Sequence, residues 1–258
     1  MKKEILNKLK LNKEDALLLA NILDKHELCQ NKNFVTATSF LDLRQQGLVH
    51  LIKNEFKVKY ELFGGFADAE RKVLYFLPEW EEELTDHNLC LLNVTPNANK
   101  PLSHRDYLGS VLSLGIKRET IGDILVSDNG AQIITNNNMA EFLLNNYVSA
   151  GHFSLSCEIK ELSSLIVPKP DIKTISDTVM SLRLDSAVSS CFSISRSQAV
   201  KAIESGKVFL NDLEMLKCDK QIKEGDKIIL RGKGKAVITK ASEKSKKGRI
   251  WLEIERYV

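Results

Sequence analysis

Ser195-Arg196-Ser197-Gln198-Ala199-Val200-Lys201-Ala202-Ile203-Glu204-Ser205-Gly206-Lys207-Val208-Phe209-Leu210-Asn211-Asp212 is the stretch whose reading decides how the C-terminal third of the chain folds. Ser195 followed three residues later by Gln198 is a capping box, in which hydroxyl and amide side chains satisfy each other's backbone N–H groups at a helix start. Ala199, Ala202 and Ile203 then share one face, and Ser197, Lys201 and Glu204 the other, which predicts a short helix laid on a core. Gly206 stops it, 207–210 reads as a strand, and Asn211-Asp212 as a turn. A helix start points backbone N–H groups and the positive end of the dipole outward, and Arg196 adds a planar fork of donors. Such a corner suits a phosphate.

The neighbouring sequence extends this corner. Glu224-Gly225-Asp226 turns into Ile228-Ile229-Leu230 and then into Arg231-Gly232-Lys233-Gly234-Lys235, three cations within five residues. The glycines let backbone approach a partner closely. From residue 181 onward there are 17 Lys+Arg against 10 Asp+Glu, and in the remainder 20 against 24, so the formal charge of +3 hides a basic end and an acidic body. That asymmetry points to a polyanion.

The 258 residues are 43% hydrophobic and 28% charged, enough apolar material for buried cores, which excludes disorder and fibrous arrays. Three segments emerge, predicting an α+β protein of three small domains over 1–80, 81–170 and 174–258. The first holds a helix capped by Asn12 with Leu17, Ala20 and Leu23 inward, a second helix over 40–52, and a hairpin of 57–63 with 73–77 turning at Gly64-Gly65. The second reads β-α-β-β-α-β, a ferredoxin-like order. Its strands are 89–94, 121–126, 131–135 and 153–159. Its helices are 104–114, boxed by Ser103 and Asp106, and 139–150, with Met139, Phe142, Leu143 and Tyr147 inward. Its central strands carry no aromatic residues, which argues against base stacking on that sheet. Pro168-Lys169-Pro170 predicts a stiff linker, and 242–248 a basic loop.

Arg183-Leu184-Asp185, Ser195-Arg196-x-x-Ala199, Gly206-x-Val208-x-Leu210-Asn211 and Gly225-Asp226-x-Ile228 together resemble the S-four RNA-binding domain. That domain grips structured RNA by shape and backbone. The resemblance implies phosphate contacts from Arg183, Arg196, Lys201, Lys207 and Arg231. Ser195, Gln198, Asn211, Lys233 and Lys235 complete the candidate surface, and Asp185 orients Arg183 or the helix pair. Asp212 stands where that domain usually has glycine. Further upstream, Phe63-Gly64-Gly65-Phe66, Ala69-Glu70-Arg71-Lys72, Ser103-His104-Arg105-Asp106-Tyr107-Leu108-Gly109, Leu114-Gly115-Ile116-x-Arg118 and Ile121-Gly122-Asp123-Ile124 are similar to the YlmH family. Leu43 departs from it, where proline is expected. The resemblance implies a partner made of ribosomal RNA and tRNA on the large ribosomal subunit, in quality control of stalled nascent chains. Other quality-control factors and a cell-division link come with it. Arg71, Lys72, His104, Arg105, Lys117 and Arg118 form a secondary RNA or ribosome contact in that reading. Read only from their neighbours, Gly64-Gly65 could equally serve a turn and Glu70-Arg71 a solvated ion pair.

Enzyme readings fare worse. Arg183-Leu184-Asp185 mimics a pseudouridine-synthase triplet, but the residues after 235 are too few for a catalytic domain. The segment 225–233 has the wrong spacing for a phosphate loop. Five histidines form no metal pattern, and five scattered cysteines lack a C-x-x-C pair, so no metal, cofactor or disulfide framework is expected. With no apolar run near ~18 residues and no apolar leader, the expectation is a cytoplasmic, non-enzymatic monomer that binds RNA and no membrane. An RNA-modifying enzyme and a cell-division adaptor are the alternatives.

Overall fold

The computed structural model describes Leu9 and residues 11–98, 101–168, 171–242 and 248–257. Its contacts divide the chain into two compact units, Met1–Pro168 and Lys169–Val258. Each is a mixture of helices and antiparallel sheets.

The first unit starts with α1 (Lys13–Lys32), capped by the Asn12 side chain accepting from the Asp15 amide. Its inward face is Asp15, Leu19, Ile22, Leu23, His26 and Cys29. Leu17, expected inward, is exposed. The segment expected as one helix over 40–52 instead divides into strand β1 (Thr36–Leu41) and helix α2 (Leu43–Ile52). Asp42 separates them, forming a capping box with Gln45, and Leu43 takes the first helical position, where proline is also at home. β2 (Lys59–Phe63) and β3 (Lys72–Leu77) pair antiparallel, and β1 lies on the other side of β3. Gly64-Gly65 does not close a tight hairpin. It opens an eight-residue loop over 64–71, and a Cβ on Gly64 would lie 2.1 Å from the Arg71 carbonyl oxygen.

Next come β4 (Leu89–Pro96), α3 (His104–Ser113), β5 (Ile121–Ser127), β6 (Gly130–Asn136), α4 (Asn137–Asn146), the short β7 (Ser149–Ala150) and β8 (Phe153–Glu161). The sheet order is β5-β6-β4-β8-β7. The helix expected to run to 150 ends four residues earlier, with Phe142 exposed and Tyr147 buried beyond the helix end.

The run Val73-Leu74-Tyr75-Phe76-Leu77 is buried throughout because both faces of β3 are covered. Leu74 and Phe76 pack with Leu19, Ile22 and Leu23 of α1. Val73, Tyr75 and Leu77 pack with Phe40 on Leu91 and Ile134 of the five-stranded sheet. Leu92, Val94 and Ile133 pack on the opposite side with Tyr107, Val111 and Leu143. The unit is therefore layered as helices, three strands, five strands, helices. The boundary expected between residues 80 and 81 falls inside it.

The second unit is one six-stranded sheet carrying two helices. β9 (Ile172–Val179) leads to α5 (Leu184–Phe192) and α6 (Arg196–Glu204), then β10 (Val208–Leu210), β11 (Leu213–Glu214), β12 (Lys227–Leu230), β13 (Gly234–Ala241) and β14 (Ile250–Tyr257). The strands are ordered β11-β10-β12-β13-β14-β9. β9, absent from the sequence reading, pairs with β14 along its full length. Val188, Phe192, Ala199 and Ile203 of the helices seal the sheet's core against Val208, Ile228, Ile238 and Ile254. Lys169 and Pro170 of the expected linker, and residues 243–247 of the expected basic loop, lie outside the described residues.

Candidate nucleic-acid interface

Three of the expected residues meet at the start of α5. Asp185 is 2% exposed, yet its carboxylate accepts from two arginines at once. Arg183 donates through Nε and Nη2 at 3.1 and 3.0 Å. Arg196 donates through Nε and Nη2 at 3.2 and 2.9 Å. Burial alone would push the Asp185 carboxyl up, but the two guanidinium groups outweigh it and hold its pKa below the usual carboxylate value. The local backbone makes this possible. The Leu184 amide donates to the Lys220 carbonyl, the Asp185 amide to the Cys218 carbonyl, and the Ile222 amide to the Leu182 carbonyl. The start of α5 is thus stitched to 218–222, and the arginines project from a fixed anion. The Arg196 side chain remains 60% exposed and that of Arg183 35%, so each fork retains a solvent-facing edge.

The start of α6 is a closed capping box. The Gln198 amide donates to Ser195 Oγ at 3.2 Å, and the Ser195 amide to Gln198 Oε1 at 3.0 Å. Ser195 and Gln198 therefore shape the corner with groups already engaged in the cap. Lys201 is exposed one turn on from Ser197.

Lys207 and Arg231 face each other at one end of the β10–β12 pair, where the Arg231 amide donates to the Lys207 carbonyl at 2.9 Å. The Arg231 guanidinium lies 5.1 Å from the centre of the Phe209 ring, and Lys235 Nζ 4.2 Å from that of Tyr257. Lys233 is exposed between two glycines at positive φ. Asn211 lies at the other end of β10, about 13 Å along the strand from Lys207. Its side chain donates to Asp226 at 2.9 Å and accepts from the Lys227 amide at 2.9 Å, which makes it a brace of the turn. Asn211 and Asp212 both have positive φ. Asp212 therefore takes the left-handed backbone that glycine would, and Lys227 Nζ reaches its carboxylate at 2.6 Å.

Sequence reasoning passed over Lys217, Lys220 and Lys223, all exposed on the segment stitched to Arg183. Three lysines within seven residues were countable. Their closeness to Arg183 was not, since it depends on the isolated bridge between Arg183 and Gln221.

The expected secondary contact divides. Arg71 turns inward, donating through Nε to the Ile121 carbonyl and through Nη2 to the Phe40 carbonyl. Arg118 donates through Nη1 to the Ile121 and Gly122 carbonyls at 2.5 and 3.0 Å. Burial, then the charge of Arg71, pushes the Arg118 pKa down to about 10. Between them Asp123 accepts from the Glu70 and Arg71 amides at 2.7 and 3.1 Å, and burial pushes its carboxyl up to about 6. Asp123 and Arg71 fasten the 64–71 loop to β5, and Arg118 braces the start of β5 itself. Lys72 bonds the Ala67 carbonyl, whereas His104, Arg105 and Lys117 are exposed. No group of three or more His, Cys, Asp or Glu poised for a metal occurs among the described residues. Nor is any helix among them long and apolar enough to cross a membrane.

Residues 82–164 match the family model described as a putative RNA-binding domain in YlmH. Over 247 residues the chain is 31% identical to ribosome-associated protein quality control protein P2 of Bacillus subtilis (strain 168), covering 95% of this chain and 96% of that protein. A solved structure of the cell division protein ylmH from Streptococcus pneumoniae aligns with a TM-score of 0.52 at 21% identity. That alignment covers 60% of this chain and 96% of that one, and shows likeness of fold.

Proposed function

Because the chain belongs to the YlmH family, we propose that it is a non-catalytic RNA-binding factor of the cytoplasm that acts on the large ribosomal subunit. There it stabilises peptidyl-site tRNA while a stalled nascent chain is processed. The observation that carries this reading is the pair of guanidinium groups fanned from buried Asp185. Two forks held by one anion present their remaining N–H groups as a preorganised phosphate clamp. Lys201, Lys207, Arg231, Lys233 and Lys235, with Lys217 and Lys220, extend the cationic surface. Ser195, Gln198 and Asn211 hold its backbone in shape. The description of the B. subtilis relative as ribosome-associated supports the choice of partner.

In the same reading 174–258 is the S-four domain and 81–170 the ferredoxin-like one, with 1–80 a third part. His104, Arg105 and Lys117 are its secondary contacts. Arg71 and Arg118 are left out of that contact because their side chains serve the fold.

A map of crosslinked RNA nucleotides from cells tests the proposal. Contacts concentrated on large-subunit RNA and tRNA support it, and crosslinks scattered without preference refute it. Nucleoside analysis after incubation with bulk RNA separates the alternative, since a new modified base would identify an RNA-modifying enzyme. Recovery chiefly with division proteins after RNase treatment would instead identify an adaptor.

A further inference from the structure

We propose that Arg231, laid over the Phe209 ring on the helix-free face of the second unit's sheet, stacks an unpaired nucleobase of the bound RNA. The inference rests on the RNA-binding reading and deepens it. Both helices of the unit pack on the face that carries Val208, Ile228, Ile238 and Ile254. Side chains alternate along a strand, so Phe209 and Ile229 point the other way, outside that core. The register carries one row across all six strands of this second face: Glu214, Phe209, Ile229, Lys235, Tyr257 and Ile172. Apolar and aromatic side chains dominate the row, which suits the flat face of a base better than a phosphate.

Phe209 is fully buried although neither helix covers its face. Part of its roof is the Arg231 guanidinium, whose carbon lies 5.1 Å from the ring centre. Arg231 is itself exposed, so a planar cation resting on an apolar floor is offered to solvent. A guanidinium held between a protein ring and a base has both of its faces covered by π-systems. Its root is fixed, because the Arg231 amide donates to the Lys207 carbonyl at 2.9 Å and the Lys233 amide to the Leu230 carbonyl at 2.9 Å. Beside it Gly232 stands at φ +81°, and a Cβ there would meet nothing within 4 Å, which leaves room for a flat ligand. The second cation of the row does not offer the same surface. Lys235 Nζ sits 4.2 Å from the centre of the Tyr257 ring, and an ammonium has no plane, so it caps that ring. Glu214, directly opposite Phe209, places a carboxylate in the row. It opposes a phosphate at this point and leaves a neutral base unopposed. Arg231 therefore takes the base, while Lys207 and Lys233 near it serve the backbone.

The probe is a fluorescein-labelled RNA hairpin with one bulged 2-aminopurine, set against the same hairpin with an abasic ribose at the bulge. Both carry the same phosphates, so a purely phosphate contact does not distinguish them. Titrated into the full chain, the base-bearing hairpin is expected to bind about tenfold more tightly. Its 2-aminopurine emission should be quenched, and the Arg231 Nε–Hε resonance should shift as it does not with the abasic hairpin. Arg231→Lys keeps the charge and loses the plane, so the preference should shrink to about twofold or less. A preference that survives Arg231→Lys, or an Arg231 resonance that responds alike to both hairpins, overturns the proposal. Equal affinity of the two hairpins for the unaltered chain also overturns it, and leaves the RNA reading standing. If neither hairpin nor bulk tRNA binds, the RNA reading falls and the base subsite with it.

Discussion

Replacing Asp185 by asparagine keeps the shape of the side chain and removes the charge to which two arginines are fastened. Removing one partner of a fully buried ion pair costs about 3–5 kcal/mol, because the survivor is left buried. Here the survivors keep access to water, Arg196 through a side chain 60% exposed, and exposed pairs are worth far less. The expected loss at Asp185 is therefore about 2 kcal/mol. In a unit of this size that lowers the melting temperature by roughly 10 °C. The sign with pH follows from the lowered folded-state pKa. The carboxylate's contribution is complete above its unfolded pKa of ~3.9 and disappears as pH falls through the folded value. Two outcomes for RNA compete. Asp185→Asn adds a positive charge, so if the arginines act only as charges, affinity rises. If they act as oriented forks, affinity falls about tenfold, ~1.4 kcal/mol, despite the added charge. Fluorescence anisotropy with labelled tRNA and large-subunit RNA fragments across a series of KCl concentrations decides between them. A rise in affinity at every salt concentration would falsify the clamp.

The remaining expectations are independent. Neutralising about five phosphates predicts a log–log salt slope near −3.5 to −4.5, and a flat dependence is incompatible with the cationic surface. Arg196→Ala should weaken RNA binding while the cooperative melt survives, since the side chain is mostly exposed; loss of the melt would make Arg196 structural. Gly64→Ala should destabilise the first unit by about 2 kcal/mol or more in a urea titration, because its Cβ would meet the Arg71 carbonyl oxygen. Two groups in that unit should pull its stability in opposite directions on acidification. Burial lowers the His26 pKa, so the unfolded chain takes the proton first and stability falls below pH ~6.5. Asp123, raised to about 6, binds a proton more tightly when folded, so its contribution rises as pH drops from ~6 towards ~4. Urea midpoints for Asp123→Asn and His26→Gln at pH 7.5, 6 and 5 separate the two, and parallel curves for all three proteins would refute both.

What could be read from the chain alone was local. The Ser195–Gln198 and Ser103–Asp106 boxes formed as expected because each closes within three residues of backbone. The Asp42–Gln45 box was equally visible in the letters, but the apolar pair Phe40-Leu41 drew the helix boundary too early. That pair serves a strand covered on both faces, where helical and strand periods look alike. β9 escaped for the opposite reason. Lys173, Thr174, Ser176, Asp177 and Thr178 leave it exposed and without an apolar rhythm, and its partner β14 lies more than 70 residues away. Tyr147 resembled one more helical turn after Leu143, yet at φ −89°, ψ 75° it is where the helix ends. At the site, the letters could supply Arg183, Asp185 and Arg196 but not their convergence. Nor could they separate Arg71 and Arg118, which the 64–71 loop and β5 turn inward, from Arg105, which stays outside.

The five-stranded sheet brings the charge and packing arguments to one point. A sheet that stacks bases needs an open face with aromatic side chains. Leu91 and Ile134 of the central strands are instead fully buried beneath Phe40, Tyr75 and Leu77. The segment 82–164 also has 5 Lys+Arg against 10 Asp+Glu, which works against a phosphate backbone. If that segment contributes RNA contacts, they must come from the rim around His104, Arg105 and Lys117 rather than from the sheet. Arg105→Glu should then reduce RNA affinity by a smaller factor than Arg196→Glu. Leu91→Asn should act only through stability, by burying an amide without room for water. A Leu91→Asn protein that melts normally yet loses RNA binding would place the bases on the sheet after all.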